Sequence, residues 1–289
     1  MKKKKKRKSK TNQLPRNIRA YQFHGVDLGG KDDGRQIACN CLFCDREGKM
    51  SIVKDTGQFR CVVCQESGNT VTFLRALHEM SMENTSEADY KQLARDRGLI
   101  TTSILKKWGV CKSVLNGNWL VPGGNFNGKL VNLYRWAKIE GKYKLLSSPA
   151  LPPGIFGYDD YDFDCETAFF LEGWGNGLAL AELLKKMKEP ASVLSSPGAT
   201  VFNDGWGEFF RGKDVVICCD NDHPRKNVKT KKTIEGAGLS GVKKAASIIK
   251  QAGPASMRYN SWGKAGFNKN IDHGFDIRDL LTKGIEYAN

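Results

Sequence analysis

Short apolar segments alternate with helix-like segments in the second half of the chain, and this alternation restricts the fold more than any other feature. Buried strands are indicated by the segments ETAFFLE, ASVLSS, DVVICCD and PASMRYN. Helices with one apolar face are indicated by NGLALAELLKKMK and GLSGVKKAASIIKQAG. Strands and helices that alternate in this way predict a mostly parallel sheet covered by helices, and therefore an α/β domain.

Two of the predicted strands end in carboxylates. Glu172 closes ETAFFLE, and Asp220 and Asp222 directly follow DVVICC. Functional groups gather at the carboxyl ends of strands in open α/β sheets, and residues i and i+2 of an extended segment point to the same side. Carboxylates that meet at such an edge repel one another unless a cation lies between them, and Mg²⁺ prefers oxygen ligands of this kind. The pattern predicts a Mg²⁺ site that works on phosphates, with Asp276 in HGFDIRDLL as a further acid. A solvated turn is the alternative for an isolated Asp-x-Asp, and the apolar strand before each motif disfavours it.

Four cysteines near the N-terminus form two Cys-x-x-Cys pairs, Cys41 with Cys44 and Cys61 with Cys64, separated by 16 residues. Each pair brings two thiolates onto one tight turn, and four thiolates make a closed tetrahedral site for a structural Zn²⁺. An iron–sulfur cluster and a redox dithiol pair are the alternatives. The intervening GKMSIVKDTGQFR predicts a hairpin that brings the two pairs together. Cys39 is interpreted as a bystander.

The chain contains nine cysteines, an odd number, and no secretory signal precedes them. A disulfide framework is therefore not expected, and a reducing, cytoplasmic setting is predicted. No apolar run approaches the roughly 18 residues that a membrane span needs, so no membrane partner is expected.

The chain is strongly basic, with a net charge of +15 and a pI of about 9.4. MKKKKKRKSK alone carries eight Lys and Arg residues, which leaves 15 − 8 = +7 for the remainder. This balance favours a polyanionic partner. The N-terminal run is expected to be a disordered arm, which either contacts phosphates or is a passive tail.

Several segments, taken in order, resemble the bacterial and phage-type DNA primases. LEGWGNGLAL, SSPGAT, VVICCDND and DIRDLL look like the successive motifs of the TOPRIM domain. CLFC and FRCVVCQESGNTVTFL look like the zinc ribbon of these primases, and the hairpin-rich stretch from WLVPGG to IFGY is similar to the basic domain that precedes TOPRIM. The resemblance covers about residues 35 to 285. The basic composition predicts a disordered arm over 1–20. After it, the resemblance implies a zinc-ribbon domain over 21–80, a basic middle domain over 81–163 and a TOPRIM catalytic domain over 164–289.

The fold class that follows is α/β: a small β zinc ribbon, a mixed α+β middle domain and a TOPRIM-like domain with a mostly parallel sheet. The implied function is a DNA primase that makes short RNA primers on single-stranded DNA by Mg²⁺-dependent nucleotidyl transfer, with Mn²⁺ as an alternative metal. By resemblance, Glu172, Asp220 and Asp222 occupy the acidic metal positions and Asp276 a later one. Glu172 is either a metal ligand or the base for the attacking hydroxyl.

The implied partners are a single-stranded DNA template, nucleoside triphosphates and a separate replicative helicase, since the chain has no Gly-x-x-x-x-Gly-Lys-Ser/Thr motif. A phage or mobile element is the expected source. The predicted template and nucleotide path consists, by resemblance to the middle domain, of Lys129, Arg135, Lys138, Lys142 and Lys144.

The run HPRKNVKTKKTIEG is inserted after Asp222, where the family continues quickly into a helix. Its basic residues either bind triphosphate or template, or belong to a solvated loop; they are Arg225, Lys226, Lys229, Lys231 and Lys232.

Tyr134 and Trp136 either stack on bases or, as we favour, pack in the core. Asn176 stands where the family commonly has an acid, which leaves the number of bound metals open.

Two other functions are compatible with these features. A TOPRIM nuclease with a zinc DNA-binding module would cleave DNA without nucleotides, and the primase-like middle segment disfavours it. A non-catalytic nucleic-acid-binding protein on a primase scaffold is favoured slightly by Asn176 and opposed by the three intact acids Glu172, Asp220 and Asp222.

Overall fold

The structure is a computed structural model of the 289-residue chain, and it describes residues 14–99, 101–226, 230, 232–260 and 268–279. The chain divides into two compact units, Met1–Phe73 with Ser148–Ala150 and Leu74–Ser147 with Leu151–Asn289. Most of the predicted basic arm, residues 1–13, lies outside the described residues. The end of the predicted disordered arm at residue 20 is corrected by the structure: Arg16–Ile18 form a 3-10 helix and Arg19–Phe23 form helix α1. These residues are structured because their apolar side chains are buried in the first unit.

The first unit contains an antiparallel sheet of four short strands in the order β1-β2-β3-β4. Their bounds are Gln36–Cys39, Met50–Val53, Phe59–Cys61 and Ser67–Gly68. The register pairs Met50 with Cys61, which confirms the predicted hairpin between the two cysteine pairs. Phe59 is buried against Phe73, so its ring packs in the core of this small unit.

The second unit begins with helices and a second antiparallel sheet. Helices α2, α3 and α4 span Thr70–Asn84, Glu87–Arg97 and Ser103–Lys107, and α2 starts within the first unit. Strands β5, β6, β7 and β8 span Cys111–Lys112, Trp119–Gly124, Leu130–Ile139 and Lys142–Leu146, and they pair in that order. Antiparallel pairing joins β6 to β7 and β7 to β8, so the hairpin-rich character predicted for this stretch is confirmed.

The remainder of the second unit alternates between strand and helix, as the sequence predicts. Its elements in chain order are β9 (Thr167–Glu172), α5 (Trp174–Met187), β10 (Ala191–Ser196), a 3-10 helix (Asp204–Phe210), β11 (Asp214–Cys218), β12 (Arg225–Lys226), β13 (Thr233–Ile234), α6 (Ala237–Ala252) and β14 (Ser256–Asn260). Strands β10, β9, β11 and β14 form a parallel sheet in that order. Strands β12 and β13 are a separate antiparallel pair.

Alternate residues of the parallel strands face the two covering helices. Leu171 packs in the same core as Leu178 of α5, whereas its neighbour Phe170 packs with Val242 of α6. The core on the α5 side also contains Trp136 from β7, so the two sheets of this unit share buried apolar surface. A small antiparallel ribbon, a mixed α+β segment and a parallel α/β sheet confirm the predicted fold class.

The strand order has one direct consequence for function. From β9 the chain crosses to β10 on one side, and it later adds β11 on the other side of β9. The direction of strand addition therefore reverses between β9 and β11, and ligands of open α/β sheets bind beyond the carboxyl ends of strands at such a switch point. Within the described ranges, no helix has the length and apolar character that crossing a membrane requires.

Candidate active site and metal centre

The two cysteine pairs of the first unit meet in one cluster. The Sγ atoms of Cys41 and Cys64 lie 3.7 Å apart, those of Cys44 and Cys61 lie 3.8 Å apart, and all four lie within 4.8 Å of one another. Four sulfurs at about 2.3 Å from a central Zn²⁺ are about 3.8 Å apart in a regular tetrahedron. The spacing therefore fits a tetrahedral metal ion such as Zn²⁺. Cys39 stays outside this cluster and is buried in β1, where burial raises the pKa of its thiol to about 12.

Both pairs have the same local structure. The residue two positions after the first cysteine, Phe43 in one pair and Val63 in the other, donates its N–H to that cysteine's Sγ at 3.4 Å. The residue after each second cysteine, Asp45 or Gln65, has a left-handed backbone with φ of 53° or 65°. Amide hydrogen bonds to the sulfur favour the thiolate that binds metal, so the fold prepares both pairs as ligands.

Two carboxylates of the second unit lie at the switch point of the parallel sheet. Strand β9 ends at Glu172, and the register that pairs Phe170 with Ile217 of β11 brings Asp220 to the same edge. Gly173 has φ of 78°, a left-handed conformation that favours glycine, and it turns the chain directly from Glu172 into α5. Both side chains are thus carried on short connections from neighbouring strands.

Asn221 brings a distant acidic segment to this edge. Backbone hydrogen bonds join Asn221 and Phe275 in an isolated antiparallel bridge, which places Asp276 next to the Asp-Asn-Asp segment. The buried Asn221 side chain donates from Nδ2 to the carbonyls of Asn268 and Ile271 at 3.0 and 2.9 Å, and its Oδ1 accepts the Asn268 N–H at 2.8 Å. Sequence reasoning missed this residue, because its partners lie far along the chain.

The carboxyl groups at this edge are shifted toward their protonated forms. Burial is the largest of the causes that raise the pKa of Asp220 to about 8; the charges of Glu172, Asp276 and Asp222 act in the same direction, and Arg278 opposes them. Burial also raises the pKa of Glu172, with the charges of Asp222 and Asp276 acting in the same direction. Burial raises the pKa of Asp276 as well, against backbone N–H groups and Arg278 that lower it. Burial is the largest cause of all three shifts, so each of these carboxyl groups is costly to ionise without a compensating positive charge.

One carboxylate oxygen of the cluster has no protein partner. Glu172 Oε2 is buried and has no hydrogen-bond partner among the described residues. A buried carboxylate oxygen without a partner is costly, and a divalent cation would satisfy it. Among the described residues, the four cysteines are the one group of three or more Cys, His, Asp or Glu side chains that stands close enough together to hold a metal ion.

Asp222 lies between the acidic edge and the start of helix α6. One of its carboxylate oxygens accepts the N–H of Gly238 at 2.8 Å, and the other lies 3.8 Å from Nδ1 of His273. A Cβ at Gly238 would approach the backbone oxygen of Asp220 to 2.7 Å, so glycine allows the helix to begin this close to the acids.

Asn176, the position at which the family commonly has an acid, contacts the site directly. Its Nδ2 donates to Asp220 Oδ1 at 3.2 Å and to the backbone oxygen of Glu172 at 3.0 Å. An amide here holds Asp220 without adding a further negative charge to the cluster.

A cleft of about 490 Å³ opens beside Asp222. Its lining includes Thr200, Arg225, Ser240 and His273, together with the backbone at the start of α6. Glu235 also lines it, and its carboxylate is paired with Lys243. The volume is in the range of small-molecule sites, roughly 300–1,000 Å³.

No protein-family model matches this chain, and no curated protein matches it. Solved structures do match. A DnaG primase catalytic domain bound to single-stranded DNA is 14% identical, with 75% of each chain covered and a TM-score of 0.53. The E. coli primase catalytic core is 13% identical over 74% of this chain and 75% of that one, with a TM-score of 0.50. The chain has a DNA primase-type fold. The zinc-binding and RNA polymerase domains of the Aquifex aeolicus primase also match, at 14% identity over 93% of this chain and 81% of that one, with a TM-score of 0.45.

Arg97 is a half-buried cation of this primase-type fold that sequence reasoning missed. Its guanidinium lies 5.3 Å from the ring centroid of Trp136 and 4.8 Å from that of Trp174, and its Nε is buried with no partner in the described part of the chain. Burial lowers its pKa to about 10, and the nearby charge of Asp276 opposes this shift. Any side chain at Gly175 would collide with the guanidinium. Its contacts depend on tertiary packing, so no local motif identifies it.

The five basic residues predicted in the middle segment are divided between the two faces of the antiparallel sheet. Register pairs Lys138 with Tyr143 on the face that carries Trp136. Arg135, Lys142 and Lys144 alternate with these positions and therefore face the other side. Lys129 precedes β7 and is exposed.

The described residues of the basic insertion after Asp222 form part of a short antiparallel strand pair. Arg225 and Lys226 form β12, which pairs with β13, and Lys232 directly precedes β13. Arg225 faces the cleft beside Asp222. Lys229 and Lys231 lie outside the described residues.

Proposed function

We propose that this chain is a DNA primase that synthesises short RNA primers on single-stranded DNA. The observation that carries the proposal is the convergence of Glu172, Asp220 and Asp276 at the switch point of the parallel sheet, in a chain with a primase-type fold. The domain division of the sequence analysis, with a TOPRIM catalytic domain over 164–289, is part of this proposal.

We propose that Glu172, Asp220 and Asp222 hold Mg²⁺ and that Asp276 supports them. The bound ion would neutralise negative charge on the reacting phosphates. The buried, unpartnered Oε2 of Glu172 and the raised pKa of Asp220 support a cation at this edge. Cys41, Cys44, Cys61 and Cys64 would hold a structural Zn²⁺, because four thiolates leave no coordination position for substrate.

The reaction forms a bond between the 3′-oxygen of the growing primer and the α-phosphorus of a nucleoside triphosphate. The bond from that phosphorus to pyrophosphate breaks at the same centre. In the alternative role, which leaves the ion to Asp220 and Asp222, Glu172 would accept the proton of the attacking hydroxyl, because burial raises the pKa of its carboxyl. Asn176 would keep Asp220 oriented through its hydrogen bond.

The cleft beside Asp222 is our proposed site for the triphosphate. Arg225 faces it, and the first turn of α6 presents backbone N–H groups and the positive end of the helix dipole. Lys226 and Lys232 lie on the same β12–β13 pair, and Lys229 and Lys231 connect its two strands in sequence. We propose that Lys129, Arg135, Lys142 and Lys144 contact the template or nucleotide, and that a separate helicase delivers the single strand.

Primer synthesis with random single-stranded templates, Mg²⁺ and labelled nucleoside triphosphates tests the proposal. We expect labelled, alkali-sensitive oligonucleotides that disappear when one nucleotide is omitted or Mg²⁺ is chelated. Mg²⁺-dependent cutting of the template, with no incorporation on any template, would favour the nuclease instead.

Charge reversal tests the triphosphate cleft. We expect substitution of Arg225, Lys226, Lys229, Lys231 and Lys232 by Glu to raise the nucleotide KM, since the like charges repel the β- and γ-phosphates. The matched control reverses Lys185 and Lys186, two exposed residues at the far end of α5, and should leave KM unchanged. An equal KM in both variants would place the triphosphate elsewhere.

A further inference from the structure

Tyr143 presents an aromatic ring to solvent in an arrangement that packing alone does not require. Its ring stacks on Trp136 with the centroids 4.1 Å apart and the planes 16° from parallel. Trp136 is only 6% exposed, whereas Tyr143 is 53% exposed. A ring that is covered on one face and still half exposed has its other face open to water. The two stacked rings therefore present a flat apolar surface to solvent at the outer face of Tyr143.

The hairpin that joins β7 to β8 fixes the position of this ring. Glu140 and Gly141 form a two-residue turn with φ of 49° and 80°, and the register places Tyr143 directly opposite Lys138. Trp136 lies two residues from Lys138 on the same face, within reach of a diagonal aromatic contact. The exposed ring of Tyr143 on the edge strand β8 and the exposed Lys138 on its neighbour β7 thus stand side by side on one face of the sheet.

The stack is connected to the acidic edge through buried aromatic packing. Trp136 meets Trp174 edge to face with the centroids 5.5 Å apart, and Trp174 begins α5 two residues after Glu172. The guanidinium of Arg97 packs against both tryptophan rings. Because this support is buried, the outer face of Tyr143 is held in place before any ligand arrives, and binding need not order it.

We propose that Tyr143 is a stacking platform for a nucleobase, with Lys138 beside it to contact the adjoining phosphate. The proposal rests on the proposed function, because it assumes a nucleic-acid or nucleotide ligand. Proteins that bind single strands combine positive surface with aromatic rings on which bases stack, and base stacking tolerates any sequence. The base belongs either to the template strand or to a nucleoside triphosphate, and the two sources share this chemistry.

The test measures binding of the full chain to a labelled single-stranded oligonucleotide by fluorescence anisotropy, without nucleotides. We expect Tyr143→Ala to weaken binding at least about fivefold, the lower end of the effect for base-stacking aromatics. Tyr143→Phe should bind like the wild type, because it keeps the ring and loses only the hydroxyl. Phe163→Ala is the matched control: Phe163 is 52% exposed and precedes β9, at the opposite edge of the parallel sheet from Glu172.

An oligonucleotide of abasic sites isolates the stacking contribution. Wild type and Tyr143→Ala should bind this strand equally, because only the phosphate contacts remain. If the base belongs instead to a nucleotide, Tyr143→Ala will leave oligonucleotide binding intact and weaken nucleoside triphosphate binding by a similar factor. Unchanged affinity for both ligands would overturn the proposal, and so would equal losses in Tyr143→Ala and Tyr143→Phe. These binding assays do not depend on catalysis. They can therefore refute the stacking role of Tyr143 without refuting primer synthesis, and the failure of primer synthesis would not affect their outcome.

Discussion

Replacing Asp220 by asparagine should stabilise the metal-free protein at alkaline pH, although Asp220 belongs to the proposed metal site. Burial and the charges of Glu172, Asp276 and Asp222 raise the pKa of Asp220 from 3.8 to about 8. Between these two values the folded chain keeps a proton that the unfolded chain has released. Stability therefore falls as pH rises through this window, because the unfolded state binds fewer protons.

The size of the effect follows from the size of the shift. One pKa unit corresponds to about 1.4 kcal/mol, so the shift of Asp220 sets a ceiling of about 6 kcal/mol on the cost of ionising it. Asp220→Asn removes that cost and retains an oxygen to accept the hydrogen bond from Asn176. In EDTA the variant should be more stable than the wild type by several kcal/mol near pH 9, and this advantage should shrink toward zero near pH 4. Added Mg²⁺ should stabilise the wild type and have little effect on the variant.

Urea unfolding followed by tryptophan fluorescence is a suitable assay, because the five tryptophans among the described residues all lie in the second unit, which holds the acidic edge. Asp214→Asn is the matched control, since Asp214 begins β11 at the opposite edge of the sheet. The reasoning is refuted if Asp220→Asn and Asp214→Asn show the same dependence of stability on pH.

Three further predictions concern other parts of the molecule. Purified protein should contain one Zn²⁺ per chain. The double variant Cys41→Ser/Cys64→Ser should lose this ion, and its first unit should unfold, because structural zinc contributes folding free energy. Full metal content in that variant would contradict the four-cysteine site. Asn221→Ala should lower the free energy of unfolding by roughly 2–3 kcal/mol and weaken Mg²⁺ binding in calorimetric titration. Unchanged Mg²⁺ affinity would show that the position of Asp276 does not depend on the hydrogen bonds of Asn221. Deleting residues 1–10 should flatten the dependence of log K for single-stranded DNA on log salt by roughly 0.7 per lost phosphate contact, and an unchanged slope would mark the arm as a passive tail.

Local patterns of this sequence predict the strands and their carboxylate ends. ETAFFL and DVVICC are short, apolar and followed directly by acids, so their position at the edge of a parallel sheet follows from strand geometry. The cysteine cluster is predictable for a similar reason, since its spacing alone defines two tight turns. The turn at Glu140 and Gly141 sets the register of β7 and β8. Because side chains alternate between the two faces along each strand, this register also determines which basic residues share a face with Tyr143.

The supporting residues were not predictable, because their roles depend on contacts between distant segments. Asn221 looks like a spacer between two aspartates, yet its side chain anchors the segment that carries Asp276. Arg97 looks like a basic residue at the end of a helix, yet its guanidinium packs against the rings of two tryptophans. Neither role has a sequence period or motif, so only the assembled fold reveals it.

The most direct test of the central claim compares primer synthesis by the wild type with that of Asp220→Asn and Asp222→Asn. Both variants should still bind single-stranded DNA, because the template contacts proposed here lie on the antiparallel sheet. Loss of metal-assisted charge stabilisation should lower the rate of synthesis on the order of 10³-fold or more. Primer synthesis by both variants at a rate close to that of the wild type would contradict the assignment of the active site to this acidic edge.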